Sequence, residues 1–326
     1  MSVVRVAAAV IERGGKVLLA QRPAGKVYAG YWEFPGGKLE GGETPREALV
    51  RELREELGLH VREASPWLLQ RYVYPHAHVE LHFFRVRAFD GEPVGHDGQA
   101  FAWQDPFAID VAPLLPANTR VLAALRLPSV YGITCATDVG EDAFVERMER
   151  AFAQGLRLVQ VREKAWRRTC VRAFVARLLP LAHRAGARVL VNADEALARR
   201  SGAAGVHWTS AQLAHARWRP HDLLVAASCH TAADVLHASG LELDFVVLGP
   251  VLPTPSHADA PPLGWDAFAG AIAATRVPVF ALGGLTHADL GTALAHGAHG
   301  IAMRRGAWGK LDRPCFSRGP YFSASP

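Results

Sequence analysis

Beyond residue 128 the chain carries eight short apolar runs: Val130–Thr134, Leu156–Val161, Ala187–Val191, Ala204–Trp208, Leu223–Ala227, Phe245–Leu248, Val277–Leu282 and Gly300–Met303. They recur roughly every 20–30 residues, with amphipathic helical stretches between most of them. Strand-like runs alternating with helices call for a parallel sheet, and eight of them close it into a (β/α)8 barrel. This α/β unit is expected over residues 128–309, with its eighth helix poorly represented. The break before it falls at Leu127-Pro128, and the Ser/Pro-rich stretch 310–326 reads as a disordered tail.

Residues 1–127 hold a different signal. Gly37 to Leu59 contains Glu43, Arg51-Glu52-Leu53, Glu55-Glu56 and Gly58-Leu59 at fixed spacings. Thr44-Pro45-Arg46-Glu47 predicts a helix start, with Thr as N-cap, Pro at N1 and Glu closing a capping box. Gly58 predicts the stop. On that helix Glu52, Glu55 and Glu56 share one face, while Ala48, Leu49, Leu53 and Leu57 dock the other. Like charges so placed repel by roughly 0.2–0.5 kcal/mol per pair. A cation relieves that repulsion, and clustered oxygen ligands suit Mg²⁺ or Mn²⁺. Gly36 and Gly37, lacking Cβ atoms, let backbone approach the ion.

This pattern resembles the Nudix box, and the resemblance runs from about residue 3 to 126. It is most similar to MutT-type Nudix hydrolases, which cleave nucleoside triphosphates, notably oxidised guanine nucleotides, to the monophosphate and pyrophosphate. The resemblance implies an α/β/α sandwich. It implies metal ligation by the Gly36 carbonyl and by Glu52, Glu55 and Glu56, with Arg51 orienting a glutamate. It places a further catalytic and metal-binding carboxylate at Asp97, where glutamate is the familiar occupant. Phe34 and Asn118 match purine-reading positions, and Arg22 matches a phosphate contact. A further family arginine is replaced by Ala77.

Composition narrows the remainder. The first 127 residues balance, 15 basic against 15 acidic, so the net charge of +5 falls on the second part. Neither part interleaves a basic stripe with aromatics, which argues against polynucleotide binding. No apolar run reaches membrane-spanning length, and the start shows no signal-peptide cleavage pattern. The four cysteines form no CxxC pair, as suits reduced thiols in a cytoplasmic protein. His78 and His82 fall on one side of a strand.

In the barrel, polar residues collect at the C-terminal ends of the strands. Gln160, Arg162 and Lys164 alternate at the second, Asn192 ends the third, and Ser228 sits at the fifth. Gly283-Gly284 and Gly300–Arg305 offer an anion cradle at the seventh and eighth. These residues resemble the thiamine-phosphate synthase/thiazole tautomerase family over roughly 129–306. The resemblance implies a ligand site of Gln160, Arg162, Lys164, Asn192, Ser228, Gly283 and Gly284, for a phosphorylated thiazole or pyrimidine. The synthase uses two metal-binding aspartates, replaced here by Ala193 and Gln212. A pyrophosphate-binding lysine is replaced by His257, and a tautomerase histidine by Pro250. Asp194 is the one nearby carboxylate that could substitute for the missing aspartates.

The expectation is therefore a Mg²⁺-dependent Nudix pyrophosphohydrolase acting on oxidised purine nucleoside triphosphates such as 8-oxo-dGTP, joined to a synthase-like barrel. The alternatives are hydrolysis of thiamine-related diphosphates, a bifunctional hydrolase/synthase, or a barrel that only binds ligand.

Overall fold

The computed structural model describes residues 3–96, 98–254 and 261–308. The chain divides into two compact units after Leu127.

In the first unit, β1 (Val3–Arg13), β2 (Lys16–Gln21), β3 (Trp32–Glu33), β4 (Gly36–Lys38), β5 (His60–Tyr74), β6 (Ala77–Asp90) and β7 (Phe101–Gln104) form one sheet. The order is β3-β2-β1-β6-β5, with β4 added to β1 and β7 to β2. Only β1 and β6 pair in parallel. Helix α1 (Pro45–Leu57) covers one face and α2 (Thr119–Leu125) the other. Because strand side chains alternate, Ala7, Ala9 and Ile11 face α1 while Ala8 and Val10 face α2. The result is an α/β/α sandwich.

Helix α1 starts and stops where its sequence says. Thr44 and Glu47 form the capping box, Pro45 opens the helix, and Gly58 closes it at φ 67°. Ala48, Leu49, Leu53 and Leu57 are fully buried.

In the second unit, β8 (Val130–Ile133), β9 (Leu158–Val161), β10 (Arg188–Asn192), β11 (Gly205–Trp208), β12 (Leu224–Cys229), β13 (Phe245–Leu248), β14 (Val279–Leu282) and β15 (Gly300–Met303) close a parallel barrel. Each overlaps one of the eight apolar runs. Helices α3 (Ala136–Val139), α4 (Glu141–Ala153), α5 (Arg168–Arg184), α6 (Glu195–Ser201), α7 (Ser210–His215), α8 (Ala232–Gly240), α9 (Trp265–Ile272) and α10 (Leu290–Ala295) lie between the strands. Val130, Val159, Val206 and Val225 pack outward against the helices. Alternating with them, Tyr131, Gln160, His207 and Ser228 take the interior face. Tyr131, Phe245 and Phe280 fill the barrel with edge-on contacts, Tyr131–Phe245 at 5.1 Å and Phe245–Phe280 at 5.2 Å.

After β15 the described residues hold one 3-10 turn, Gly306–Trp308, in place of an eighth helix. Trp308 does a helix's covering work by packing on Phe144 and donating to the Ile133 carbonyl at 2.8 Å. The expected tail, 310–326, lies outside the described residues. Among the described residues no helix is long and apolar enough to cross a membrane. Cys135 and Cys229 are buried and Cys170 is exposed.

Among the described residues, the sheet of the first unit carries one buried ion pair, Arg85 to Glu12, with contacts of 2.5 and 2.6 Å. Burial pushes the Glu12 carboxyl up, but Arg85 and Arg87 outweigh it and hold the group below its ordinary value. Its stabilisation is therefore complete above the unfolded value near 4.5 and fades as pH falls through the lower native one. Replacing Arg85 by Ala leaves a buried carboxylate with only the longer Arg87 contact. The first unit should lose about 3 kcal/mol in urea titrations at neutral pH, and part of that loss should vanish at acid pH. An equal loss at both pH values would show that Arg85 acts through packing alone.

Candidate active sites at the glutamate helix and the barrel mouth

Arg51 is the centre of the first site. Its guanidinium reaches Glu43 at 2.8 and 2.9 Å, Glu52 at 2.9 Å and Glu55 at 3.3 Å, and donates to the Lys38 carbonyl at 3.1 Å. The Arg51 hydrogen bond holds the Glu43 carboxyl down at about 2. Glu56 lies 3.8 Å from the Lys26 ammonium. Glu52 is largely buried, its side chain 15% exposed, while Glu55 is 62% exposed. The Glu52 carboxylate rests directly on Gly37, where a Cβ would overlap it. Gly36 sits at φ 147°, pressed on the Ala7 carbonyl of β1. The two glycines thus let the loop and the helix close on one another.

Asp97 lies outside the described residues. Its flanks are tied to the last turn of α1, whose terminal carbonyls have no partner within the helix. Val94 N–H donates to the Leu57 carbonyl at 3.0 Å, and His96 N–H to that of Glu56 at 3.1 Å. The Gln99 amide also reaches the Glu56 carbonyl, at 3.1 Å. The loop expected to bring a carboxylate is therefore anchored beside Glu56.

Among the described residues no three His, Cys, Asp or Glu side chains converge closely enough to hold a metal ion. The donor set nevertheless fits one in kind. Three carboxylates share one helix side, their charge is met here by Arg51 and Lys26, and Glu52 is seated on a loop that only glycine admits.

The other nucleotide-contact candidates are more enclosed than their sequence positions suggest. Phe34 is 3% exposed and packs edge-on against Phe83 at 5.8 Å. Asn118 is 2% exposed and, although it starts α2, makes no side-chain cap. Its amide points to the Trp32 carbonyl at 3.5 Å. Arg22 pairs with Glu33 at 2.5 Å and donates to the Val27 carbonyl at 2.8 Å. Burial raises the Glu33 carboxyl, and Arg22 offsets part of that rise. His82 is half-buried beside Glu80, and burial lowers its imidazole.

The sequence reading missed an aromatic wall. Tyr28 stands 5.2 Å from Tyr31 and 5.4 Å from Tyr74, which lies 4.5 Å from Tyr72. Tyr28 holds φ at 61°, a conformation that side chains other than glycine seldom adopt. Burial pushes the Tyr74 phenol to about 12, and its oxygen is hydrogen-bonded to the backbone of Ala117, next to Asn118. The only signal available was aromatic density in two segments more than 40 residues apart.

At the barrel mouth, Gln160 donates to the Asn192 Oδ1 at 3.0 Å. Burial and the neighbouring Arg304 lower Arg162, and Arg162 in turn lowers Lys164. Three cations therefore gather there. Arg304 is paired with Asp138 at 2.7 Å. Glu163, between Arg162 and Lys164, is turned away to cap α3 through the Ala136 and Thr137 N–H groups. Gly283 and Gly284, at φ 106° and 67°, lie against Pro250–Pro253, where Cβ atoms would overlap backbone. Tyr131, His207 and Ser228 form a hydrogen-bonded chain, 3.1 Å from Tyr131 Oη to His207 Nδ1 and 2.9 Å from Nε2 to Ser228 Oγ. Tyr131 and His207 were also missed, each being one polar residue inside an apolar run.

The synthase metal does not fit this mouth. Gln212 closes a capping box with Thr209 and donates to the Ala193 carbonyl at 3.0 Å. β10 ends at Asn192, so the chain has left the strand before Asp194. That carboxylate caps α6 and takes a bidentate grip from Arg168 at 2.6 and 2.9 Å. His257 lies outside the described residues.

A NUDIX domain family model matches residues 6–124, and a thiamine monophosphate synthase model matches residues 130–307. Over 130 residues the chain is 45% identical to CTP pyrophosphohydrolase of Escherichia coli (strain K12), covering 38% of this chain and 92% of that protein. Over 124 residues it is 37% identical to 8-oxo-dGTP diphosphatase of Haemophilus influenzae, covering 38% and 91%. The barrel is 36% identical over 179 residues to a protein of Geobacter sulfurreducens provisionally named thiamine-phosphate synthase, covering 54% and 84%. The chain belongs to the Nudix hydrolase family through its first unit and to the thiamine monophosphate synthase family through its second. Nudix hydrolases generally use divalent metal ions.

Gly37→Ala should push the Glu52 carboxylate off its seat while leaving the sheet intact. A displacement of about 1 Å is enough to lower turnover about 100-fold. Nucleotide hydrolysis and thermal melting measured together would test this. Full turnover by a folded variant would show that the Glu52 position is dispensable.

Proposed function

We propose that the first unit is a Mg²⁺-dependent pyrophosphohydrolase that converts oxidised purine nucleoside triphosphates such as 8-oxo-dGTP to the monophosphate and pyrophosphate. Its role would be to cleanse a cytoplasmic nucleotide pool and so limit mutagenic incorporation into DNA. The observation that carries this reading is the carboxylate face of α1 closed against Gly36-Gly37. Glu52, Glu55 and Glu56, with the Gly36 carbonyl and Asp97, would hold the metal. When bound, Mg²⁺ (or Mn²⁺) supplies charge neutralisation at the phosphates and a more acidic bound water. Arg51 keeps Glu52 in place and grips Glu55 only at 3.3 Å. A shift of Arg51 toward Glu43 would free the exposed Glu55 to accept a proton from the attacking water; Glu52 and Asp97 are the other candidates. Arg22 would contact the phosphates, and Lys26, 3.8 Å from Glu56, stands close enough to the carboxylate face to join it. The Tyr28–Tyr74 wall would offer the base a stacking face, and Asn118, 2% exposed, would offer its amide edge once the start of α2 opens to the base, with Phe34 supporting them from the core.

A second reading, a cytosine nucleotide, is favoured by the CTP pyrophosphohydrolase relative. Steady-state kcat/KM values for 8-oxo-dGTP, dGTP and CTP separate the two. The proposal expects 8-oxo-dGTP to lead and its margin over dGTP to shrink in Asn118→Ala; a lead for CTP overturns it. Glu55→Gln should abolish hydrolysis of all three, while apo stability stays equal or rises because like-charge repulsion is relieved.

For the barrel we propose a metal-independent binding site for a phosphorylated thiazole or pyrimidine at Gln160, Arg162, Lys164, Asn192, Ser228, Gly283 and Gly284. The convergent cations support anion binding, and the engagement of Asp194 and Gln212 argues against synthase turnover. An assay with both synthase substrates and Mg²⁺ should show very slow thiamine phosphate formation. Efficient turnover abolished by Asp194→Ala would make the chain a bifunctional enzyme.

A further inference from the structure

The hydrogen-bonded chain through the barrel interior has one self-consistent arrangement of protons. Tyr131 is fully buried, and His207 Nδ1 is the sole hydrogen-bond partner of its hydroxyl among the described residues. Two arrangements are available in principle. If Nδ1 carried the proton, the phenolic hydrogen would be left buried without an acceptor, the dearer omission for a group shut off from water. If the phenol donates to Nδ1 and Nε2–H donates to Ser228 Oγ, both of the fully buried hydrogens are used and only the serine hydrogen, nearest the mouth, is left over.

His207 is itself 1% exposed. Burial, and then the Arg162 guanidinium at the end of β9, drive its imidazole down to about 3, so the ring is neutral and carries one proton. Burial likewise keeps the Tyr131 phenol protonated. With Nδ1 accepting, that single ring proton sits on Nε2. Nε2 then donates to Ser228 Oγ, which leaves the serine hydrogen to point elsewhere.

We infer that Tyr131 and His207 are positioning residues that run their hydrogen bonds outward from the barrel core and fix Ser228 as a donor, so that this serine reads an acceptor atom on the ligand and is not a nucleophile. The arrangement looks like a serine–histidine pair, but its polarity is reversed. A histidine that activates serine must accept the hydroxyl proton at the nitrogen facing it. Here that nitrogen is already protonated, and the other is occupied by tyrosine.

The partner for Ser228 follows from its neighbours. Gln160 Nε2 donates to Asn192 Oδ1 at the end of β10, so Asn192 offers Nδ2 as a further donor at the same barrel mouth. Arg162 and Lys164 add cationic donors. A mouth furnished with donors and positive charge selects a ligand bearing unprotonated, electron-rich atoms, of which a phosphoryl oxygen is the simplest. This last step rests on the proposed anion site, whereas the polarity of the chain does not.

Nitrogen-15 NMR of the full-length protein labelled at histidine tests both parts. His207 should appear as the neutral Nε2–H tautomer and stay so from about pH 8 down to about pH 5. Ser228→Ala should leave that tautomer intact, because Tyr131 sets it. Tyr131→Phe should keep the Nε2–H tautomer but move the Nδ1 resonance toward that of an unbonded acceptor nitrogen, because the phenol that donates to it is gone. An Nδ1–H tautomer in the wild type, or scrambling by Ser228→Ala, overturns the inference. If Tyr131→Phe fails to fold, those two observations still decide it. A fluorophosphonate probe should leave Ser228 unmodified, and labelling there also overturns it. Inorganic phosphate should move the His207 Nε2 resonance in the wild type and in Ser228→Thr, but not in Ser228→Ala. No movement in the wild type, with the tautomer as expected, removes the anion reading alone.

Discussion

Four carboxylates, Glu43, Glu52, Glu55 and Glu56, crowd one helix and the loop before it, and a single guanidinium decides whether they can. Arg51 touches three of them and the Lys38 carbonyl. Its planar fork of five donors serves several oxygens at once, which a lysine in the same place does not. The packing of α1 depends on this. Its apolar face holds it to the sheet, but only with the charge gathered does the opposite face close on Gly36-Gly37. Lys26 repeats the device on a smaller scale at Glu56.

The same principle, charge managed by whatever lies nearest, takes the opposite course in the barrel. There the cations Arg162, Lys164 and Arg304 converge and the carboxylates are drawn off. Glu163 caps α3, Asp194 caps α6 and binds Arg168, and Asp138 takes Arg304. Each removal uses a free helix N-terminus or an arginine fork. The first unit thus presents negative charge that asks for a metal. The barrel mouth presents positive charge that asks for an anion.

Much of this was legible from the sequence because it is local. The capping box at Thr44, the stop at Gly58 and the shared glutamate face depend on residues within a few turns of one another. The barrel strands were legible because each is an apolar run framed by helices. Arg51's triple grip was only partly so: its pairing with a glutamate was expected, but its hold on Glu43 depends on how the preceding loop folds back. The enclosure of Phe34 and Asn118 was not legible, since it follows from packing between β3, β6 and the start of α2. The Tyr28–Tyr74 wall and the Tyr131–His207–Ser228 chain bring together residues from separate strands. No periodicity within one segment announces such meetings, although a lone tyrosine or histidine inside an apolar barrel strand is the trace they leave.

The bond from Gln212 to the Ala193 carbonyl has a physiological consequence. Where the family places an ionic clamp, this chain has an amide tether whose strength does not vary with the dissolved ions around it. That tether at the barrel mouth is therefore indifferent to free divalent metal, while the first unit belongs to a family whose members generally use such ions. On the functions proposed above, a fall in available divalent metal would silence one half of the polypeptide and leave the other poised, so the two halves would answer to different conditions although they are always made in equal amounts.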